Sequence, residues 1–173
     1  DALVVAADVM LRIRKHIISY GNPVVITTGM LTVSPGTKNI VPGEVNFSID
    51  MRHHEDADLT ALEKEVRAII ESVCKEYDVP VKIERYWRMD PVHFDERVIK
   101  AVAKAANKLG LKSKEIVSGA GHDAVYISSI IPTGMLFVPS IDGRSHCPQE
   151  NTKWKDIVTG TEALTEVLVE LDK

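Results

Sequence analysis

Aromatic residues make up only 5% of the 173 positions, and there are just two cysteines, Cys74 and Cys147. Two distant thiols without a CxxC spacing form no disulfide framework; they suit a reducing compartment, so a cytoplasmic location is expected. No apolar run reaches the roughly 18–20 residues that a membrane span requires. The longest candidate, Ile130 to Val138, is broken by Pro132 and Gly134. Positive charge is not in excess either. The 21 basic residues face 25 acidic ones, for a net charge of −4 and a pI near 5.9, which removes the electrostatic footprint of a nucleic-acid binder. The chain shows neither an initiator methionine nor a signal-peptide layout, and it has no HExxH, GxSxG or Walker sequence. What is present is ordinary for a globular protein, 45% hydrophobic and 27% charged. The length suffices for one domain, or two small pieces, with a real core.

Hydrophobic periodicity lays out the elements. Asp1 to Tyr20 carries Leu3, Ala7, Met10, Leu11 and Ile18 at helical spacing, and Gly21-Asn22-Pro23 is expected to end that helix. Val24 to Val33 is β-branched and Thr-rich and reads as a strand. Two breaks, Ser34-Pro35-Gly36 and Val41-Pro42-Gly43, then bracket a loop around Asn39. Glu44 to Arg52 alternates strictly, with Val45, Phe47, Ile49 and Met51 on one face and Asn46, Ser48, Asp50 and Arg52 on the other. That is the pattern of a half-buried antiparallel strand. Asp56 and Asp58 open a second helix whose stripe is Leu59, Leu62, Val66, Ile69, Ile70 and Val73. Val79, Val81 and Ile83 read as a further strand. The order α-β-β-α-β is one strand short of a split βαββαβ sandwich, so another strand is expected in front of residue 1. Without it one sheet edge would stay unpaired.

Past a boundary near Met89-Asp90-Pro91, Asp95 caps a third helix with Val98, Val102, Ala105 and Leu109 on one face and Gly110 at its end. Glu115 to Ser118 reads as a short strand, Gly119 to Asp123 as a Gly-rich turn, and Ala124 to Ser129 as a helical turn. Met135 to Val138 has the composition of a strand buried in an α/β sheet. A polar loop, Asp142 to Thr152, leads to a last helix, Asp156 to Leu171, with Ile157, Leu164, Leu168 and Leu171 expected inward.

Few residues here suggest chemistry on their own. His146 follows a short apolar strand, where open α/β sheets gather their ligands. Its imidazole could bind a divalent metal, with Glu150 or a carbonyl orienting it; otherwise it is a surface-loop histidine. Gly119-Ala120-Gly121-His122-Asp123 could bring backbone amides close to a ligand, with His122 polarising a carbonyl, or it is a tight turn with Asp123 as a cap. Arg52 ends the polar face of its strand, where a planar guanidinium suits bidentate capture of a carboxylate; the alternative is an edge arginine paired with Asp50. Asn39 sits in a rigid place to present an amide. His53 and His54 are adjacent, so regular strand geometry points them to opposite faces and they cannot share one ion. Cys74 lies on the apolar stripe of its helix and reads as core, and Cys147 lacks an evident activating base.

Taken together, these stretches resemble the M20 metallopeptidase superfamily in its hydantoinase/carbamoylase branch, which comprises N-carbamoyl-L-amino-acid hydrolases, β-ureidopropionases and allantoate amidohydrolases. The resemblance runs along the whole chain. Gly36-Thr37-Lys38-Asn39-Ile40-Val41-Pro42-Gly43 leads into Phe47-Ser48-Ile49-Asp50-Met51-Arg52-His53. Then come Ser118-Gly119-Ala120-Gly121-His122-Asp123-Ala124 and Gly143-Arg144-Ser145-His146. It implies an α/β fold in two parts. Residues 1–90 would be most of an α+β lid with an antiparallel sheet and two helices, which mediates dimerisation. Residues 91–173 would be the C-terminal part of a metal-binding catalytic domain. By resemblance His146 is a metal ligand, Asn39 and Arg52 grip the substrate, Arg52 by its carboxylate, and Gly121 and His122 line the pocket.

The resemblance also implies what this stretch departs from. The family's remaining ligands, its Glu general base and its lid histidine belong upstream of residue 1, so no catalytic residue is expected within the chain and only one ligand of a two-metal site is present. The expected reaction is metal-dependent hydrolysis of a carbamoyl or ureido C–N bond in a small carboxylate-bearing substrate, by a homodimer using Zn, Mn, Co or Ni. An M20 aminoacylase or dipeptidase, or a non-enzymatic amino-acid-binding or dimerisation module, are the alternatives.

Overall fold

The computed structural model describes residues 1–20 and 24–173; the helix stop expected at Gly21-Asn22-Pro23 lies outside the described residues. The chain divides into two compact units, Asp1–Pro91 and Val92–Lys173.

The first unit begins with α1 (Ala2–Ser19), whose N-cap Asp1 accepts the N–H groups of Leu3 and Val4 at 3.0 and 3.4 Å. This satisfies two of the donors that a helix start leaves without intrahelical partners. The side chains that α1 buries are Val5, Ala6, Val9 and Ile13, while Leu3, Leu11 and Ile18 of the expected stripe are exposed. Apolar residues occur on most of its circumference, so spacing alone fitted two stripes. The stripe chosen is the one that meets α2 (Asp56–Glu76). On α2 the expected residues are correct: Leu62, Val66, Ile70 and Val73 are buried, with Cys74 beside them. Burial pushes the Cys74 thiol up, as befits an inert core cysteine. Arg12 ties the two helices together, donating to Asp8 on its own helix (2.8 Å) and to Glu76 on α2 (2.7 Å). At the other end of α2, Arg88 bonds Asp56 and Thr60.

Four short strands lie against these helices: β1 (Val25–Thr27), β2 (Leu31–Ser34), β3 (Glu44–Phe47) and β4 (Asp50–Arg52). The two long strands expected from the sequence are thus each broken in two. β1 pairs antiparallel with β4 (Val25 opposite Arg52, Thr27 opposite Asp50), and β2 with β3 (Leu31 opposite Phe47, Ser34 opposite Glu44). Between the two ladders three residues, 28–30, face two, 48 and 49, so the register slips by one, the signature of a β-bulge. Ser48 bridges the break: its backbone N–H donates to the Met30 carbonyl and its hydroxyl accepts the Met30 N–H, both at 3.1 Å. The alternation survives on the later arm. Phe47, Ile49 and Met51 pack on the helical core, and Asn46, Asp50 and Arg52 face outward. Val79 and Ile83 also reach this core, but their segment pairs with no strand among the described residues, so the strand expected there is not formed.

In the second unit, Asp95 caps α3 (Glu96–Lys108) through the Arg97 N–H at 2.8 Å, as expected. A single turn, α4 (Ala124–Ile127), and α5 (Trp154–Leu171) follow. α3 and α5 meet through small side chains, Ala101 and Ala105 against Val167. Ala163 and Val167 are the buried residues of α5, and the expected inward set of Ile157, Leu164, Leu168 and Leu171 is exposed. The alanine face of α3 accepts only a close, small-residue contact, and the Lys104–Glu170 and Lys108–Glu166 ion pairs hold α5 in that rotation. The strands expected at Glu115–Ser118 and Met135–Val138 are not formed among the described residues, and Ile116, Val117 and Phe137 are exposed. Composition marked the first as a short strand and the second as a buried one, but a strand exists only where a neighbour supplies its ladder. No described helix is long and apolar enough to cross a membrane.

Two outcomes test this packing. Leu62 is fully buried and Ile18 is 71% exposed. Leu62→Ala is therefore expected to lower unfolding free energy by about 2–5 kcal/mol in urea titrations, and Ile18→Ala by about 0.5 kcal/mol or less. The Arg12 guanidinium holds the Asp8 and Glu76 carboxyls below their ordinary values. A depressed folded-state value stabilises above the unfolded-state pKa and is lost as pH falls through the folded one. Stability should therefore drop as the pH falls below about 5, and by less in Arg12→Met; equal pH slopes for the two proteins would contradict the assignment.

Candidate functional site

The polar face of the bulged hairpin carries Arg52 at its base. Its Nε and Nη2 donate to the two carboxylate oxygens of Asp50, at 3.0 and 2.9 Å, with both side chains about half exposed. Residues two apart on a strand share a face, which is why the pair forms. The Arg52 guanidinium holds the Asp50 carboxyl below the usual carboxylate range, chiefly through these hydrogen bonds, and Asp50 raises Arg52 in turn. The edge-pairing alternative is therefore real in this structure. It occupies Nε and Nη2 and fixes the plane of the guanidinium.

Asn39 lies at the far end of the same hairpin, exposed in the turn that joins β2 to β3. The loop is closed by the Gly43 N–H donating to the Ser34 carbonyl at 3.1 Å. Gly36 turns it with φ +66°, where an added Cβ would sit 3.0 Å from the Val33 carbonyl oxygen, so only glycine fits there without strain.

In the second unit the Gly119–Ala124 segment is a turn that feeds α4. Asp123 holds the N-cap position but makes no side-chain cap bond, which corrects the expected Asp123 cap. The imidazole of His122 does the capping, its Nδ1 accepting the Ala124 N–H at 3.0 Å. Ala124 is buried, while Gly119, Gly121 and His122 are exposed. A Cβ added at Gly121 would meet nothing within 4 Å, so the surface there is open.

His146 stands in a loop closed by the Ile141 N–H on the Asn151 carbonyl (2.8 Å) and the Ser140 hydroxyl on the Arg144 carbonyl (2.6 Å). Its backbone is left-handed, φ +55°, and its N–H donates to Glu150 Oε2 at 2.7 Å. Glu150 thus holds the main chain of residue 146, not the imidazole as the sequence suggested.

One contact was missed from sequence. His53 and His54 lie just past the end of β4, where strand geometry no longer separates them, and their rings come to 4.5 Å between centroids. The His53 side chain is 1% exposed; its Nδ1 lies 3.1 Å from the Glu55 backbone nitrogen, 3.2 Å from the Glu55 carbonyl oxygen and 3.7 Å from Asp58. No group of three or more His, Cys, Asp or Glu side chains suited to a metal occurs among the described residues. The donors present do not make a metal centre by themselves. Arg52 and Asn39 belong to the first unit, Gly121, His122 and His146 to the second.

Against known proteins, the sequence profile of peptidase family M20/M25/M40 matches residues 8–170. An N-carbamoyl-L-amino-acid amidohydrolase of Paenarthrobacter aurescens is 36% identical over 173 residues, covering 100% of this chain and 42% of its own length. An allantoate amidohydrolase of Bacillus subtilis is 40% identical over 146 residues, covering 84% of this chain and 35% of its own length. A crystal structure of an amidase of the hydantoinase/carbamoylase family from Burkholderia multivorans superposes with a TM-score of 0.89 at 33% identity, over 98% of this chain and 42% of that one. The chain therefore spans about two fifths of the length of such relatives. With the family profile matched along nearly all of its length, and a fold shared with an amidase of the hydantoinase/carbamoylase family, the chain belongs to peptidase family M20/M25/M40.

Proposed function

We propose that the protein carrying this chain hydrolyses the carbamoyl or ureido C–N bond of a small substrate that bears a carboxylate, an N-carbamoyl amino acid or allantoate. The names of the two relatives above support the reaction class. The observation that carries the substrate class is Arg52, half exposed at a strand end with its side-on edge held by Asp50. A planar guanidinium already fixed in orientation loses less rotamer freedom when it takes a second carboxylate. In this reading Asn39 hydrogen-bonds the substrate tail, and Gly121 and His122 line the pocket.

His146 would supply one imidazole to a metal site. A Bacillus subtilis protein of 15% identity and TM-score 0.70, which shares the fold, is described as a dinuclear metal-binding peptidase. One imidazole cannot hold two ions, so a site of that kind would draw its other donors from outside these residues. We place the protein in the cytoplasm because Cys74 and Cys147 are free thiols. We assign dimerisation to residues 1–90, where exposed Leu3, Val4, Leu11 and Ile18 on α1 and Met30 and Leu31 beside the bulge offer apolar surface to a second copy.

Three measurements test the reading on the full-length protein. Arg52→Lys keeps the charge but not the fork, and is expected to raise KM for N-carbamoyl amino acids about tenfold or more, about 1.4 kcal/mol per decade. A substrate amide lacking the carboxylate should show little difference. An equal effect on both substrates would mean that Arg52 serves the hairpin through Asp50 and not the substrate. His146→Ala is expected to lower bound divalent metal by elemental analysis while leaving the circular dichroism spectrum intact; unchanged metal would return it to an ordinary loop residue. Sedimentation at tens of micromolar is expected to show a dimer, and a monomer would remove the dimer assignment.

A further inference from the structure

We propose that a cleft on the outer side of α2 binds a phosphate monoester of a small organic molecule, its phosphate held by Lys64, Arg67 and Arg85. All the residues that line the cleft belong to the first unit, and none is used in the amidohydrolase reading above.

Two segments build this cleft. Along α2, Glu63, Lys64, Arg67 and Glu71 recur every three or four residues, so they share one side of the helix, next to its buried stripe. Arg85 and Arg88 come from the stretch that follows Val79 and Ile83, two residues packed on the core. That stretch joins no strand ladder among the described residues, so beyond Val79 its hold on the helix comes from side chains. The open space between the two segments is about 490 Å³, in the range of small-molecule sites.

Glu63 sits at the centre, its side chain 17% exposed. Arg67 donates Nε and Nη2 to its Oε1 at 3.0 and 2.9 Å, and Arg85 donates Nη1 to its Oε2 at 3.0 Å. Burial pushes the Glu63 carboxyl up, but these hydrogen bonds outweigh it and hold the group below the usual carboxylate range. One ionised carboxylate thus fixes two guanidiniums without cancelling both charges. Arg67 Nη1 and Arg85 Nε and Nη2 have no hydrogen-bond partner among the described residues, and Lys64 makes no ion pair there. Glu71 is the other carboxylate lining the cleft, so three cations face two anions. At the opposite end Arg88 is already taken up by Asp56, Thr60 and Asp90; it closes the cleft and adds no donor.

These spare donors select the occupant. A phosphate monoester carries about −1.5 to −2 charge near neutral pH and three acceptor oxygens, which match two guanidinium edges and one ammonium. A monocarboxylate brings one charge and two oxygens, a role that Glu63 already fills. Because Glu63 presets both guanidinium planes, less side-chain freedom is lost on binding. The space exceeds what a phosphate group alone needs, which leaves room for the organic part. An occupant would bridge α2 and Arg85, on the stretch that runs up to the boundary at Pro91, and so fasten a segment that has no ladder of its own.

Calorimetric titration of the full-length protein with glycerol 3-phosphate, in about 0.15 M sodium chloride to screen diffuse attraction, tests the site. One saturable site per chain is expected, with a Kd of about 1 mM or lower. Arg67→Gln and Arg85→Gln are each expected to weaken binding about tenfold or more. Lys64→Gln removes an exposed charge with no ion pair to lose, which spares the fold, and is expected to weaken binding about two- to fivefold. Lys104→Gln makes the same charge change on α3 and should leave binding unaltered. Equal losses in all four variants would mean attraction to net surface charge, and binding that no variant alters would put the ester elsewhere; either result overturns the proposal. So does the lack of saturable binding up to about 10 mM. Inorganic phosphate is expected to bind more weakly than the ester, and equal or tighter binding overturns the ester assignment. Trypsin reads the bridge, because Arg85 must leave the helix to enter the protease. Ester at about ten times its Kd is expected to slow cleavage after Arg85 about tenfold, and unchanged cleavage overturns the bridged site.

Discussion

Everything in the first unit is arranged around the packing of α1 on α2. Val9, Leu62, Val66 and Val73 are almost without solvent contact, and that seam defines a surface on which a hairpin can lay only one face. Since strand side chains alternate, placing Phe47, Ile49 and Met51 on the seam leaves Asp50 and Arg52 no choice but the outer face. The candidate substrate anchor is thus positioned by hydrophobic burial on the opposite side of its own strand. The polar chemistry is local, but the constraint that aims it comes from the whole unit.

The sequence was legible wherever one pattern had a single solution. Strict alternation over residues 44–52 identified the faces correctly, and α2, whose apolar residues form one stripe, gave its core in advance. It failed where apolar residues were plentiful. On α1 and α5 several stripes satisfy the helical period, and the partner helix decided between them. On α5 the partner was a row of alanines, which took Ala163 and Val167 and left the larger leucines outside. Strand existence was also over-read at 115–118 and 135–138, because composition reports a preference while a strand needs a neighbour.

Candidate side chains were found as residue types more readily than as arrangements. Arg52, His122 and His146 stood out in sequence, yet their contacts did not. Asp123 reads as a cap and makes no cap bond, while His122 fills that role through a ring nitrogen. Glu150 reads as a partner for the His146 imidazole and takes the backbone N–H instead. In both cases a side chain met the nearest unsatisfied backbone donor, a competition among hydrogen bonds that spacing does not encode.

The one-residue slip between the two ladders also separates the hairpin into two short ribbons joined at Ser48 and Met30. Asn39 sits at the tip of the outer ribbon and Arg52 at the foot of the inner one. A bulge adds local twist and bend, so the span from amide to guanidinium is set at a joint that contains neither residue. Changes at 28–30 or 48 would lengthen, shorten or swivel that span while both candidate side chains stay intact. Under the proposed reading, a lineage that had to admit a longer or shorter substrate would have a place to adjust the span without replacing either side chain.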